Sequence, residues 1–440
     1  GHEQPPRLTP PPPAARCGTA FRFWPFFPVD RSTASERHDG GPAPRHPAPS
    51  GHRAPTPIIA QTPAATQKIA TTLFPADLTA AFLRLPQAAA PAFVPAFVPA
   101  FAPTASAHAG SPAEATASEF TLPAPAAQAG PASLALLPDG RVAAAWLAGP
   151  DDDASAASIW FATFGRDGWS PPQLAARRES TAAGTFAHMN KLGRPLLLAE
   201  GSWLHLWYES LTLGDWAGAA IVHSLSTDGG KTWSKAERLP VSPFGALGSG
   251  LGGPPLALAD GGLALPLDHR LFGRGGEMLR LSATGRLIDK VRLAHPLGSS
   301  RPAVVALDGQ RGLAVAAGDA GQRAVLTSAD GGRQWSAVPG IDLAGATTAP
   351  ALLRLAGGKL MLAGNPPGEG GTLRLWLSAD EGRSWSAGPS IEAAADGAAE
   401  FADPALLQAR DGRIHLAYTW RRQQIRHRVF SESWLEAARP

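Results

Sequence analysis

The sequence predicts an all-β chain assembled from six repeated units, a propeller or a solenoid, preceded by an irregular Pro/Ala-rich segment. Three observations predict it. Glycine (48) and proline (44) make up about a fifth of the 440 residues, which disfavours long helices and favours short strands joined by turns. A Pro-opened apolar hairpin recurs six times from Pro131 onward. A turn motif, in its full form ending in Trp, follows the hairpins in phase with them.

In chain order, residues 1–115 read as a disordered Pro/Ala-rich tail. Runs such as LTPPPPAAR and GGPAPRHPAPSGHRAPTP have no apolar period and cannot bury enough surface to offset ordering entropy. The stretch 80–109 is apolar, but Pro91, Pro95, Pro99 and Pro103 recur every fourth residue. Each removes a helical hydrogen bond, so no transmembrane span is expected. The same stretch has the form of a secretory signal, with Arg84 as positive flank and Ala107-His108-Ala109 as a small-x-small cleavage site. That form predicts a secreted or periplasmic protein; a flexible linker is the other reading. Cys17, the single cysteine, excludes an intrachain disulfide framework and a thiolate metal cluster. A formal charge of +3 is too small to imply a nucleic-acid partner.

The six hairpins are PASLALLPDGRVAAAW from Pro131, PLLLAEGSWLHLWY from Pro195, PLALADGGLALPLDH from Pro255, PAVVALDGQRGLAVAA from Pro302, PALLRLAGGKLMLAGN from Pro350 and PALLQARDGRIHLAY from Pro404. In each, two apolar strands flank a turn containing Asp-Gly or a Gly substitute. The openings lie 47 to 64 residues apart. The second motif is clear in STDGGKTW (226–233), SADGGRQW (328–335) and SADEGRSW (378–385). Degenerate copies are GRDGW at 165–169, SATGR at 282–286 and SESW at 431–434. Its Asp bonds backbone N–H groups in the turn, its Gly supplies a positive φ and its Trp packs on the sheet, so these residues are expected to be structural.

The pattern S-x-D-x-G-x-[TQS]-W is the Asp-box, or BNR repeat. With it, and with the closing HLAYTWRRQQIRHRVF, residues 118–434 resemble the sialidase-like family, in its bacterial predicted-neuraminidase branch. The resemblance implies a six-bladed β-propeller of four-stranded antiparallel blades. The length agrees independently: Pro131 to Trp434 spans 304 residues, room for six units of about 50. Radial blades also leave only short, protected edges and need many turns.

In a propeller the inner strands converge on the axis. The residues preceding each opening proline are Gly130, Arg194, Pro254, Arg301, Ala349 and Asp403. At the ends of the second strands stand Trp146, Tyr208, Asp268 with His269 and Arg270, Ala317, Asn365 and Tyr418. Polar groups at convergent ends of apolar strands suit a binding cleft. Arg301, Arg194, His269, Arg270, Asp403, Asn365 and Tyr208 are therefore the substrate-binding candidates.

The resemblance also implies a chemistry. Guanidinium forks hold the sugar carboxylate bidentately, and a neutral tyrosine attacks because a carboxylate nucleophile would be repelled. Tyr418, in the last repeat, is the nucleophile so implied. Asp152 and Asp153, in the loop LAGPDDDASAA, stand where the family's acid loop lies. Glu277 or Glu209 would serve as base. A turn at Arg422-Gln423 would pair Tyr418 with His427, giving the hydroxyl a second partner. Two family elements are absent: Ala129-Gly130-Pro131 lacks the arginine of Phe-Arg-Ile-Pro, and Gly253-Pro254 stands where the tyrosine's glutamate is expected. The activity implied is an exo-acting, sialidase-type glycoside hydrolase on a terminal acidic sugar, monomeric, with no cofactor or metal. The alternatives are a glycan-binding propeller without catalysis, and a lyase on uronate-containing glycans with His269 or His427 as base and Tyr418 as acid.

Overall fold

The computed structural model describes residues 117–438 apart from 152, 213–217, 242–247, 259, 270–274, 294–299, 318–322, 342, 344–347, 368–370 and 395–399. The expectations for residues 1–115 therefore lie outside the described residues, as do the candidates Asp152 and Arg270.

Six antiparallel sheets follow one another along the chain. From the axis outward, blade one has strands Gln128–Leu136, Val142–Gly149, Ser158–Gly165 and Gly168–Trp169, with Gln173–Ala176 also paired to the third strand. Blade two has Lys191–Glu200, Trp203–Leu211, Ala219–Ser226 and Glu237–Arg238. In blade three the inner strand is split into Ser249–Leu251 and Leu256–Ala257, followed by Leu263–His269, Gly275–Leu281 and Leu287–Arg292. Blade four has Ser300–Ala306, Gly312–Ala317, Arg323–Ser328 and Ser336–Ala337. Blade five has Ala351–Arg354, Leu360–Gly364, Thr372–Ser378 and Ser386–Ala393. Blade six takes Phe401–Gln408, Ile414–Trp420 and Gln424–Phe430 from the last repeat, and its outermost strand, Ala117–Thr121, from the start of the described chain. That borrowed strand closes the ring. The all-β, six-bladed propeller expected from the repeats is the fold observed.

The opening prolines leave a structural mark. Proline cannot donate to a ladder, and beside the opening prolines the inner-strand pairing bulges or breaks. The inner strands shift register between Ala129 and Ala132, Leu192 and Pro195, Ser300 and Ala303, and Ala402 and Ala405. Blade three breaks altogether at residues 252–255. Each interruption turns the preceding residue out of the ladder at the end where the inner strands begin.

Blades pack face to face, so their middle strands are apolar on both sides. Every residue of Val142–Gly149 is buried. Met361, Leu373 and Leu375 of blade five pack with Leu416 and Phe430 of blade six. Leu265 and Leu279 of blade three likewise pack with Trp207 and Ile221 of blade two.

The Asp-boxes follow the third strands, and so lie at the end of the ring opposite the inner-strand starts. In the first full copy, Asp228 Oδ1 accepts from Lys231 N (3.0 Å) and Thr232 N (2.9 Å), and Ser226 Oγ accepts from Gly230 N (2.9 Å). Ser328/Asp330 and Ser378/Asp380 repeat the pattern. Gly382 has φ 86°, and a Cβ there would come 2.8 Å from Leu313 of the preceding blade, so both conformation and contact demand glycine.

Two helices depart from the expected pattern. Arg178–Thr185 is an eight-residue helix between blades one and two. The segment SESW, read as a degenerate Asp-box, instead starts the short helix Glu432–Ala437, whose cap Ser431 accepts Trp434 N at 3.2 Å. A serine followed three residues later by a free backbone N–H serves a helix cap as readily as a turn. Among the described residues no helix is long and apolar enough to cross a membrane.

Candidate functional site at the axial end of the ring

Three charged side chains meet where the inner strands of blades two, four and six begin. Arg194 Nη2 donates to Asp403 Oδ1, and Arg301 Nη1 lies 3.9 Å from the same oxygen. The side chains are 7%, 10% and 9% exposed for Arg194, Asp403 and Arg301, so this ion cluster is shielded from water. Each residue directly precedes a strand-opening proline. Arg301 (φ 52°) and Asp403 (φ 51°) both adopt the left-handed conformation that non-glycine residues avoid. Such strain persists only where the surroundings enforce it, and it gathers at ligand sites.

Around the cluster the wall is built by neighbouring blades. Glu209, at the end of blade two's second strand, accepts Leu251 N at 2.8 Å and so ties blade two to the inner strand of blade three. A Cβ on Gly193 would stand 2.6 Å from Glu209 Oε2, so glycine there makes room for this carboxylate. Asp268 is fully buried at the corresponding place in blade three, with Gly250 and Gly276 opposite it in register; His269 follows at the half-buried strand end. The missing glutamate at Gly253 has a steric explanation: a Cβ there would lie 2.6 Å from Ala303 Cα of blade four, and Gly253 N donates to Pro302 O at 2.7 Å. No side chain fits.

Several sequence candidates lie elsewhere. Tyr418 packs among blades five and six, and its hydroxyl donates to Glu392 Oε1 (2.6 Å), a carboxylate that Arg426 also binds (2.8 Å). Burial pushes the phenol pKa up, away from nucleophilic use. Tyr208 is likewise buried, its hydroxyl 2.9 Å from Thr181 Oγ1 of the helix Arg178–Thr185, and burial raises its pKa too. The predicted Tyr418–His427 pairing is wrong by one position. The hairpin turns through three residues, with Arg421 (φ 52°) and Arg422 (φ 58°) left-handed, so Tyr418 opposes Arg426 and His427 opposes Ala417. One residue of slip reverses faces. His427 instead stacks on His415 and meets Trp169 of blade one.

Glu277 sits on a third strand, 3.0 Å from Lys290 Nζ, rather than on an inner one. Asn365 joins blades: Nδ2 donates to Thr372 O (2.8 Å) and Phe401 O (2.7 Å), and Oδ1 accepts from Thr348 Oγ1 (3.0 Å). The acidic loop is at the axial-site end of blade one, because it links a second strand to a third. Within it Asp153 is exposed and accepts Ser155 N at 2.8 Å, capping the short 3-10 turn Ala154–Ala156; bonding to Ser155 lowers its pKa. Asp151 accepts from Gln128 Nε2.

Sequence reasoning missed Arg323, which opens the third strand of blade four. It is 3% exposed; Nη2 donates to Asn365 O (3.3 Å), while Nε and Nη1 have no hydrogen-bond partner, and burial lowers its pKa to about 10. The start of a third strand belongs to neither set of convergent ends that the repeats define. Among the described residues no three His, Cys, Asp or Glu side chains gather as a metal site. Two guanidinium groups around one carboxylate leave one positive charge in excess within the trio, and guanidinium forks suit a carboxylate, while Glu209 and Asp268 stand in the surrounding wall.

A family described as BNR repeat-like domain matches residues 140–416. No curated protein matches the sequence. Among solved structures, the NanB sialidase from Streptococcus pneumoniae is 13% identical with a TM-score of 0.56, over 70% of this chain and 69% of that one. Trypanosoma rangeli sialidase, in complex with the inhibitor DANA, is 14% identical with a TM-score of 0.57, over 72% and 60%. The intramolecular trans-sialidase from Ruminococcus gnavus is 16% identical with a TM-score of 0.55, over 70% and 95%. At these identities the likeness is one of fold.

Proposed function

Because the chain belongs to the BNR repeat-like domain family, we propose that it acts on glycans as a sialidase-type propeller, taking a terminal acidic sugar at the axial site and releasing it by hydrolysis. One observation carries this reading: Arg194 and Arg301 approach a single carboxylate from different blades, the arrangement a sugar carboxylate requires. A secreted or periplasmic, monomeric protein goes with it. The signal-like stretch 80–109 supports export, and a ring closed by its own first strand supports a single chain.

A second reading, glycan binding without turnover, is favoured by one specific feature. Both tyrosines of the chain are buried with their hydroxyls bonded to other partners, Tyr208 to Thr181 and Tyr418 to Glu392, so neither hydroxyl is free to attack. Hydrolysis here would draw on the loop that carries Asp152 and Asp153 as the source of acid.

A fluorogenic sialoside separates the two readings. Release of fluorophore that stops in Arg301→Ala supports hydrolysis. Saturable binding of sialyllactose by calorimetry, with no release, supports the binding propeller. Absence of both would overturn the acidic-sugar reading.

A further inference from the structure

Asp403 occupies the place a ligand carboxylate would take. Its Oδ1 accepts from Arg194 and faces Arg301, and all three side chains are at most 10% exposed. The arrangement is built rather than incidental. Asp403 and Arg301 hold left-handed backbones at bulges before Pro404 and Pro302, and those bulges interrupt the inner-strand ladders of blades six and four. Arg194 stands at the equivalent bulge of blade two.

We propose that Asp403 sets the specificity of the site by competing, from within the chain, for the arginine pair. The inference rests on the acidic-sugar reading and deepens it. A tethered carboxylate acts at a high effective concentration, on the order of millimolar or more, so a simple free carboxylate does not displace it. An acidic sugar brings hydroxyl groups as well as its carboxylate, and those added bonds let it prevail. The site therefore rejects small carboxylic acids and accepts acidic sugars, at an affinity lowered by the fraction of molecules in which Asp403 holds the arginines.

The test is calorimetric binding of N-acetylneuraminic acid, with acetate as competitor and N-acetylglucosamine as neutral control, to wild type and Asp403→Asn. The asparagine keeps shape and an acceptor oxygen but removes the charge. The variant should bind the acidic sugar about tenfold more tightly or better, and acetate should weaken binding to the variant but not to wild type. Neutral-sugar binding should be equal in both. If wild type binds the acidic sugar and the variant binds it no more tightly, the competitor role is overturned while the acidic-sugar reading stands. If neither binds it, the reading itself fails and takes the inference with it. Should the variant not fold, a structure of wild type with the sugar bound decides: Arg194 bonded to the sugar carboxylate with Asp403 withdrawn supports the proposal, and an intact Arg194–Asp403 pair overturns it.

Discussion

Arg301 has no local reason to be left-handed: an arginine side chain gains nothing there, whereas Asp403 belongs to a residue type that tolerates the region. Its position is imposed by the bulge before Pro302, and the return is a guanidinium carried to the axis. Arg301→Ala should weaken binding of an acidic sugar by on the order of 1.5–3 kcal/mol. Binding of a neutral analogue should change little, and calorimetry on both ligands checks it. Tyr418 makes the opposite case. Tyr418→Phe removes a buried hydroxyl that donates to the Glu392 carboxylate, so stability should fall by about 1–3 kcal/mol. Glycan binding and any turnover should be unaffected; a denaturant midpoint beside a binding isotherm checks both halves, and loss of turnover at unchanged stability would return Tyr418 to the chemistry.

Among the elements, the Asp-box is a turn held by one serine and one aspartate. Ser328 Oγ donates to Asp330 Oδ1 (2.9 Å) and accepts from Gly332 N (3.0 Å) while 5% exposed. Ser328→Ala should therefore cost about 1–2 kcal/mol of stability, read as a lower melting temperature. Paired histidines form a second recurring element. His205 Nδ1 lies 3.0 Å from His223 Nε2, and His415 Nδ1 lies 2.9 Å from His427 Nε2; in each pair one residue is on the second strand and the other on the third. Burial lowers His205 and His415 to about 4 and His223 and His427 to about 3, against an ordinary value of about 6.5. Asp411 opposes the shift at His415, while Arg413 adds to it. Between these limits the unfolded chain binds more protons than the folded one. The stability is thus complete above about pH 6.5 and declines as pH falls toward 4, by up to about 1.4 kcal/mol per pH unit for each proton taken up. Melting temperatures across pH 7.5 to 4 should show this decline, and replacing His223 and His427 with glutamine should flatten it.

For the whole molecule, closure rests on Ala117–Thr121. It pairs along residues 426–430, and Glu119 adds ion pairs to Arg428 (2.8 Å) and Arg426 (3.3 Å). A chain beginning at Leu122 would leave the third strand of blade six as an open edge. Such a truncation should melt at a distinctly lower temperature and self-associate on gel filtration, whereas one beginning at Thr116 should match the full chain in both respects.

What the sequence determined by itself was local or periodic. Six hairpins, their spacing and the full Asp-box turns depend on residues a few positions apart, and their chemistry reads directly as strands, turns and blade number. Arg194, Arg301 and Asp403 were legible for the same reason: each precedes a proline at one phase of the repeat. What only the tertiary structure decided was direction and partnership. Whether His427 or Arg426 stood opposite Tyr418 depended on a single residue of turn length, set by the left-handed Arg421 and Arg422. That Gly253 could hold no glutamate depended on Ala303, in the next blade. That Asp403 would fill the arginine pair required blades two, four and six to close into one ring, with Arg194 and Asp403 209 residues apart in the chain. Such contacts are fixed by packing between blades, and a repeat pattern carries each blade's own phase but not the side chain its neighbour presents.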